Sequence, residues 1–298
     1  MKTRMAVLAS LLVPSAWAYA QEQQISFKST ELEPGLYMLE GQGGFAGGNL
    51  GLSMGDDGVV LIDDGVGPLA SRLLAAVTNV TGKPVDFVVN THLHGDHTGG
   101  NMALHEAGAT IIGHENVRRR LVESDAASAD SSAPAPEESM PEITFSRSMT
   151  FHLNGHEAFV FHVARAHTDG DSVIFFRGAD VIHAGDVLFN GVFPFIDLDS
   201  GGTVEGFLEA QEDILSLAGS GTRIIPGHGP LATKSDLQAA RNMLAEARDR
   251  VKALVDAGKS EQDILEENPL APWQAWSWDF ITTEAMTRTL VRDLTENR

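Results

Sequence analysis

Ten consecutive residues constrain this chain more than any other stretch: Thr91-His92-Leu93-His94-Gly95-Asp96-His97-Thr98-Gly99-Gly100. They follow the apolar run 85–90, which reads as a buried strand, so they lie on the loop leaving a strand end. His92, His94, Asp96 and His97 fall within a few residues of one another, a density of ligand-type side chains that suits neither a solvated face nor an apolar core. His92 and His94 are two apart and point the same way in extended backbone. Both can therefore reach one ion at about 2.0–2.1 Å, the zinc–imidazole distance. Gly95 lets the chain turn, and Asp96 and His97 beyond it can serve a second ion. The chain contains no Cys, so it has no thiolate ligand, no thiol nucleophile and no disulfide. Any metal must be held by imidazoles and carboxylates.

Around this segment strand-like and helix-like stretches alternate. Residues 36–40, 49–54 and 59–63 read as strands, and 68–80 as a helix with Leu69, Leu73, Ala76 and Val77 on one face. A short helix at 101–107 and a strand at 110–113 follow. Residues 125–138, rich in Ala, Ser, Pro and acid, read as a surface loop rather than a domain boundary, because ligand-type motifs lie on both sides. Strands then dominate (149–153, 157–163, 172–177, 181–183), before a helix at 203–217, a strand at 222–226 and a long helix at 234–257. This order predicts an α/β fold of two sheets packed face to face with helices outside.

The 91–100 segment resembles the H-x-H-x-D-H signature of the metallo-β-lactamase superfamily. The resemblance continues at His167 in Ala166-His167-Thr168-Asp169-Gly170-Asp171, at Asp186 in Ala184-Gly185-Asp186, and at His228 in Pro226-Gly227-His228-Gly229-Pro230. It spans about two-thirds of the chain, from Leu36 to Leu231. It implies a four-layer αββα sandwich with two mixed sheets. It also implies two zinc ions: His92, His94 and His167 on one, Asp96, His97 and His228 on the other, and Asp186 touching both. Carboxylates and imidazoles also suit iron or manganese. Each ion would keep an open position, as a catalytic zinc must. The implied chemistry is hydrolysis of a small carbonyl substrate by a metal-activated water, with Asp96 orienting the nucleophile and carrying a proton.

The resemblance also assigns supporting parts. The glycine-rich stretch 41–48 is the hairpin that closes over substrate, with Phe45 at its tip. Residues 190–195, with Asn190 and Phe193, form another wall of the cleft. Asp63 partners a ligand imidazole, and Asp169 and Asp171 fix the turn carrying His167. His183 is the strongest further candidate to support a ligand. Trp273, Trp276 and Trp278 read as packing rather than substrate recognition.

Residues 1–20 read as a signal peptide: Lys2 and Arg4, an apolar stretch broken by Pro14, then Ala18-Tyr19-Ala20 before Gln21. The expectation is a periplasmic or secreted monomer without membrane insertion, formed of one domain from 21 to 298. Mass spectrometry of exported protein should find an N terminus near Gln21; retention of Met1 would contradict this. Acidic residues number 41 against 21 basic, which argues against nucleic-acid substrates. β-Lactams are expected to be cleaved weakly or moderately, because the relevant subclass has a lysine for the lactam carboxylate where this chain has Phe189. A lactonase or esterase and a glyoxalase II-type thioesterase share the ligand set. A non-catalytic metal-binding accessory protein is the reading from outside enzymology. Turnover of a chromogenic ester or lactam, together with metal content, separates it from the others.

Overall fold

The computed structural model describes residues 25–127 and 137–296. The expected leader, 1–20, lies outside the described residues, as does most of the 125–138 loop.

Seven strands form the first sheet in sequential order: β1 (Ser26–Glu33), β2 (Leu36–Gln42), β3 (Leu50–Gly55), β4 (Gly58–Ile62), β5 (Phe87–Asn90), β6 (Thr110–His114) and β7 (Ile143–Phe145). β1 to β4 pair antiparallel and β4 to β7 parallel. The parallel strands are short apolar runs because both faces are covered. Alternation decides which face each residue serves. Val60, Ile62, Val89 and Ile112 point inward to a core shared with the second sheet. Their neighbours Val59, Leu61, Val88 and Ile111 point outward. There they meet Leu73 and Val77 of α1 (Ala70–Thr81), which the 68–80 periodicity predicted. Gly82, with φ 67°, ends that helix as a left-handed cap.

The second sheet has the order β13-β12-β11-β10-β9-β8. Its strands are β8 (Ser148–Leu153), β9 (His156–His162), β10 (Ser172–Arg177), β11 (Val181–Phe189), β12 (Arg223–His228) and β13 (Ala232–Thr233). Only β11 and β12 pair in parallel. Val160, Ile174, Phe176 and Ile225 complete the inter-sheet core. The outer face packs on Phe207 and Ile214 of one helix (Val204–Leu217) and Leu237 and Leu244 of the next (Lys234–Asp256). The architecture is the expected four-layer sandwich with two mixed sheets.

Several elements go beyond the sequence reading. β1 is an added edge strand. A helix spans Glu115–Ala127, so it runs into the start of the expected loop. β11 does not stop at His183 but continues to Phe189, shifting register at Gly185, whose φ is +51°. Two helices at Glu261–Glu267 and Thr283–Glu296 follow the long one. No helix among the described residues is long and apolar enough to cross a membrane.

Asn49, at the entry to β3, ties the two halves together at one end of the sandwich. Its amide N–H donates to Gly227 O at 2.7 Å, and its side-chain amide donates to Pro226 O at 2.9 Å and Gly229 O at 2.8 Å.

Candidate metal centre

All seven ligand-type residues converge at the end of the sandwich where parallel strands finish. β5 delivers His92 and His94, and a single helical turn, Gly95–Thr98, presents Asp96 and His97. The loop after β9 delivers His167, β11 carries Asp186, and β12 ends on His228. Four of the seven thus come from the first sheet and three from the second. His92, His94 and His167 offer ligand atoms within 4.8 Å of one another; so do Asp96, His97 and His228, and so do His92, His97 and Asp186. Asp186 stands between the groups: its carboxylate lies 3.1 Å from His97 Nε2, 3.5 Å from those of His167 and His228, and 3.8 Å from that of His92.

Four of the imidazoles are anchored through the nitrogen that faces away. His97 Nδ1 donates to Asp63 Oδ2 at 2.8 Å. His92 Nδ1 meets Thr91 Oγ1 at 3.0 Å, and that hydroxyl donates to Asp63 Oδ2 at 2.8 Å. His167 Nδ1 donates to Phe195 O at 2.8 Å. His94 Nε2 donates to Asp197 Oδ2 at 2.9 Å. Such contacts fix both tautomer and ring orientation, leaving the other nitrogen for an ion. His228 is held differently. Its ring stacks on Phe189, centroids 5.1 Å apart, and on Phe45, 6.3 Å away and within 10° of parallel.

The buried donor atoms show whether a cation fits here. His92 Nε2, His97 Nε2 and Asp186 Oδ1 are buried and make no aligned hydrogen bond. Buried polar atoms are rarely left so, and these three point into the same space. Charge leads to the same conclusion. Burial pushes His167 down to about 4 and His92 well below its usual range, so both are neutral lone-pair donors. Burial opposes charge on His97 and His228 as well, but Asp186 outweighs it, with help from Asp63 at His97 and from Asp96 at His228. His97 is raised well above its usual value and His228 is pushed up to about 9. Burial likewise opposes the charge on Asp186, yet the surrounding imidazoles hold its carboxyl well below the usual range. The carboxylates require positive charge, and protons on two imidazoles supply it where an ion otherwise would. The donor set therefore fits a metal.

Backbone packs tightly behind the ligands. A Cβ on Gly48 would stand 2.2 Å from the His97 ring, and one on Gly227 would stand 1.9 Å from Asp186 Oδ1.

Other expectations resolve as follows. Asp63 does support a ligand imidazole and adopts a left-handed φ of 61° to do so. Asp171 fixes the His167 turn by accepting from Thr168 N and Oγ1 at 2.8 and 2.5 Å. Asp169 does so by a two-pronged pair with Arg120. His183 reaches no ligand side chain and donates instead to Asn49 O.

A cavity of about 650 Å³ opens onto the cluster, walled by Phe45, Phe189, Phe195, Trp278 and Phe280. Phe45 is 61% exposed, as a tip residue should be. Three expectations are corrected here. Phe193 is fully buried in the core while Phe195, two residues on, lines the cavity; a regular strand would put both on one face, but 193–197 is irregular backbone and turns them apart. Asn190 lies off the cavity wall and ties its own loop to Pro230 O. Trp278, expected only to pack, lines the cavity. Phe195 lines the cavity as the 190–195 wall implied, whereas sequence reasoning missed Asp197, Thr91 and Phe280; their roles depend on contacts that no local motif marks.

Comparison with known proteins agrees with this geometry. The family model described as the metallo-beta-lactamase superfamily matches residues 44–252, more than half of the chain. A hydroxyacylglutathione hydrolase from Polaromonas sp. strain JS666 is 27% identical over 214 residues, 67% of this chain and 73% of the relative. A second, from Pelagibacter ubique, is 30% identical over 105 residues; that match spans 35% of this chain and only 36% of the relative's length. Among solved structures, a metallo-beta-lactamase from Pontibacter korlensis superposes with a TM-score of 0.60 at 19% identity, covering 74% of this chain and 99% of that one. One from Hirschia baltica gives 0.60 at 16%, covering 74% and 98%. At those identities the likeness is one of fold. The matched family model and the convergent imidazole–carboxylate cluster together establish that the chain belongs to the metallo-beta-lactamase superfamily and is a metal-dependent hydrolase.

Proposed function

We propose that this chain is a two-zinc hydrolase of small carbonyl substrates, exported from the cytoplasm, with Asp96 as its proton carrier. The observation that carries the reading is the set of unbonded donor atoms, His92 Nε2, His97 Nε2 and Asp186 Oδ1, between two triads of ligand-type side chains. His92, His94 and His167 would hold one ion, Asp96, His97 and His228 the other, and Asp186 would reach both. When bound, the ions acidify a water and polarise the carbonyl oxygen.

The chain's own groups do the rest. The anchored imidazoles are set before substrate arrives, so little reorganisation is needed during reaction. Burial opposes charge on Asp96, but its contact with His228 lowers its pKa, so it is ionised and ready to accept a proton. It lies on the cavity wall, 3.3 Å from His228 Nε2, where it can return that proton to the leaving group. The aromatic walls seat the substrate and exclude water.

Lactams should be poor substrates. Phe189 occupies the position of the carboxylate-binding lysine, and neither Arg165 nor Arg177 lines the cavity. Arg177 is paired with Glu157 and lies over Phe159. The hydroxyacylglutathione hydrolase relatives favour thioester cleavage as a second reading. Glutathione carries carboxylates, however, and the described cavity lining has no Lys or Arg to receive them. Elemental analysis should find two zinc ions per chain, and chelation should abolish turnover across a panel of esters, lactones, thioesters and lactams. Full activity with a single ion would sink the two-ion reading.

Zinc uptake should release protons at neutral pH. In the metal-free chain His228 sits at about 9 and His97 is also raised, so both must deprotonate to bind. Apparent zinc affinity should climb as pH rises towards about 9. The metal-free fold responds with the opposite sign. The raised His228 contributes its full stability below 6.5, its ordinary value, and loses that contribution as pH rises through about 9. Calorimetry in buffers of different ionisation enthalpy counts the protons; none released at pH 7.5 would contradict the linkage.

A further inference from the structure

We infer that the substrate is an uncharged ester or lactone with an aromatic or bulky apolar body and no carboxylate, selected by an arm of the chain beyond the family-matched residues. This rests on the hydrolase reading above and narrows it. The family model ends at residue 252, yet Trp278 and Phe280 form part of the cavity wall. The arm that carries them is fastened to the 190s loop. Trp278 Nε1 donates to Phe193 O at 2.9 Å, and Phe193 N donates to Trp276 O at 2.8 Å. The indole N–H is thereby used up, and the ring offers the cavity only apolar surface.

The rings form a continuous track across the site. Trp278 lies 6.0 Å from His228, and Phe280 lies 5.7 Å from Trp278 and 5.2 Å from Phe195. Phe195 lies 5.6 Å from both His94 and His167. The track therefore runs from one triad to the other, alongside any bond placed between them. Phe280 is 59% exposed, comparable to Phe45, and two exposed phenylalanines beside one cavity form an apolar surface with substrate as its natural cover.

The cavity's polar groups complete the argument. Apart from the ligand-type residues, the only polar side chain among the described lining residues is Asp279. The lining has no Lys or Arg to receive an anion. It also has no Ser, Thr, Asn, Gln or Tyr to receive a polar substituent. A carboxylated substrate would be desolvated next to Asp279 without a partner. An apolar body loses nothing there, and 650 Å³ accommodates one of drug-like size.

The test compares 4-nitrophenyl 3-phenylpropanoate with the same ester bearing a para-carboxylate on its phenyl ring, using zinc-loaded full-length protein. The neutral ester should have a kcat/KM about 10- to 100-fold higher, the scale of one charge-assisted contact. Trp278→Ala and, separately, Phe280→Ala should raise its KM about 10-fold with smaller changes in kcat and unchanged zinc content. Phe280 is exposed, so its variant tests the wall even if Trp278→Ala folds poorly. A second arm measures binding of 4-phenyl-2-butanone and its para-carboxylate by tryptophan fluorescence, with Trp278→Phe locating the signal. Equal or inverted preference, or an unchanged KM in the Phe280 variant, overturns the inference and leaves the hydrolase standing. If neither ester is cleaved, the hydrolase reading fails, and the ketone pair alone decides: tighter neutral binding supports the inference and equal binding overturns it.

Discussion

Replacing Asp186 with Ala should reduce turnover by about 10³-fold or more and leave the chain with at most one ion. Among the described residues Asp186 is the one carboxylate within 3.8 Å of four imidazoles, His92, His97, His167 and His228. It is buried, and its proton affinity is held low by those same rings. Ala would leave both triads without their shared anion, and loss of a metal's charge stabilisation is a matter of several kcal/mol, about a factor of 10 for each 1.4 kcal/mol. Gly227→Ala approaches the same outcome without removing a charge, because its Cβ would stand 1.9 Å from Asp186 Oδ1 and displace that carboxylate. Elemental analysis and steady-state kinetics on protein shown to be folded by circular dichroism check both variants. Two ions and near-normal turnover in Asp186→Ala would refute the shared-carboxylate arrangement.

Asp96→Ala should lose about 10²- to 10⁴-fold, the usual range for a positioned proton carrier. Asp96 sits on one helical turn, and its carboxylate contacts His97 Nε2 at 3.6 Å and His228 Nε2 at 3.3 Å. Unlike Asp186 it reaches only one triad and is partly open to the cavity. Asp96→Asn separates its two roles. The amide oxygen can still approach an ion but cannot take up a proton, so zinc content should stay near two while kcat collapses. An Asn variant that turns over normally would show that another group moves the proton.

The residues of the candidate metal cluster were legible because each sits in a short motif whose spacing carries the chemistry. His92 to His97 are contiguous, and His228 lies between glycines that allow close approach. Asp197 was not legible: its partner His94 is 103 positions away, and nothing local distinguishes it from any loop aspartate. The 190s aromatics were read as a wall, which holds for Phe195; Phe193 has the same parity and would share its face in a regular strand, but the irregular backbone of 193–197 turns it into the core, and no sequence pattern marks that departure. Packing was the right reading for Trp273, over which Arg250 lies at 4.8 Å, and incomplete for Trp278. Two missed helices had left signals. Ser260 and Asp263 form a reciprocal cap that starts one, and Met286 and Leu290 supply the helical spacing of the other. β1 left no such signal: Ser26–Glu33 is polar and mostly uncovered, and its strand character comes from pairing with β2.

The division of the ligands between the two sheets has a consequence for cohesion. His92, His94, Asp96 and His97 extend from the first sheet, and His167, Asp186 and His228 from the second. An ion bound by both works as a rivet through the joint across which Asn49 donates three hydrogen bonds and accepts a fourth from His183. The unfolded chain has no such joint, so each ion at 100 times its dissociation constant would add about 2.7 kcal/mol to the folded state. Chelation therefore removes mechanical strength along with chemistry. Its earliest trace in hydrogen exchange belongs at the Asn49 amide, well before the strands on either side begin to open.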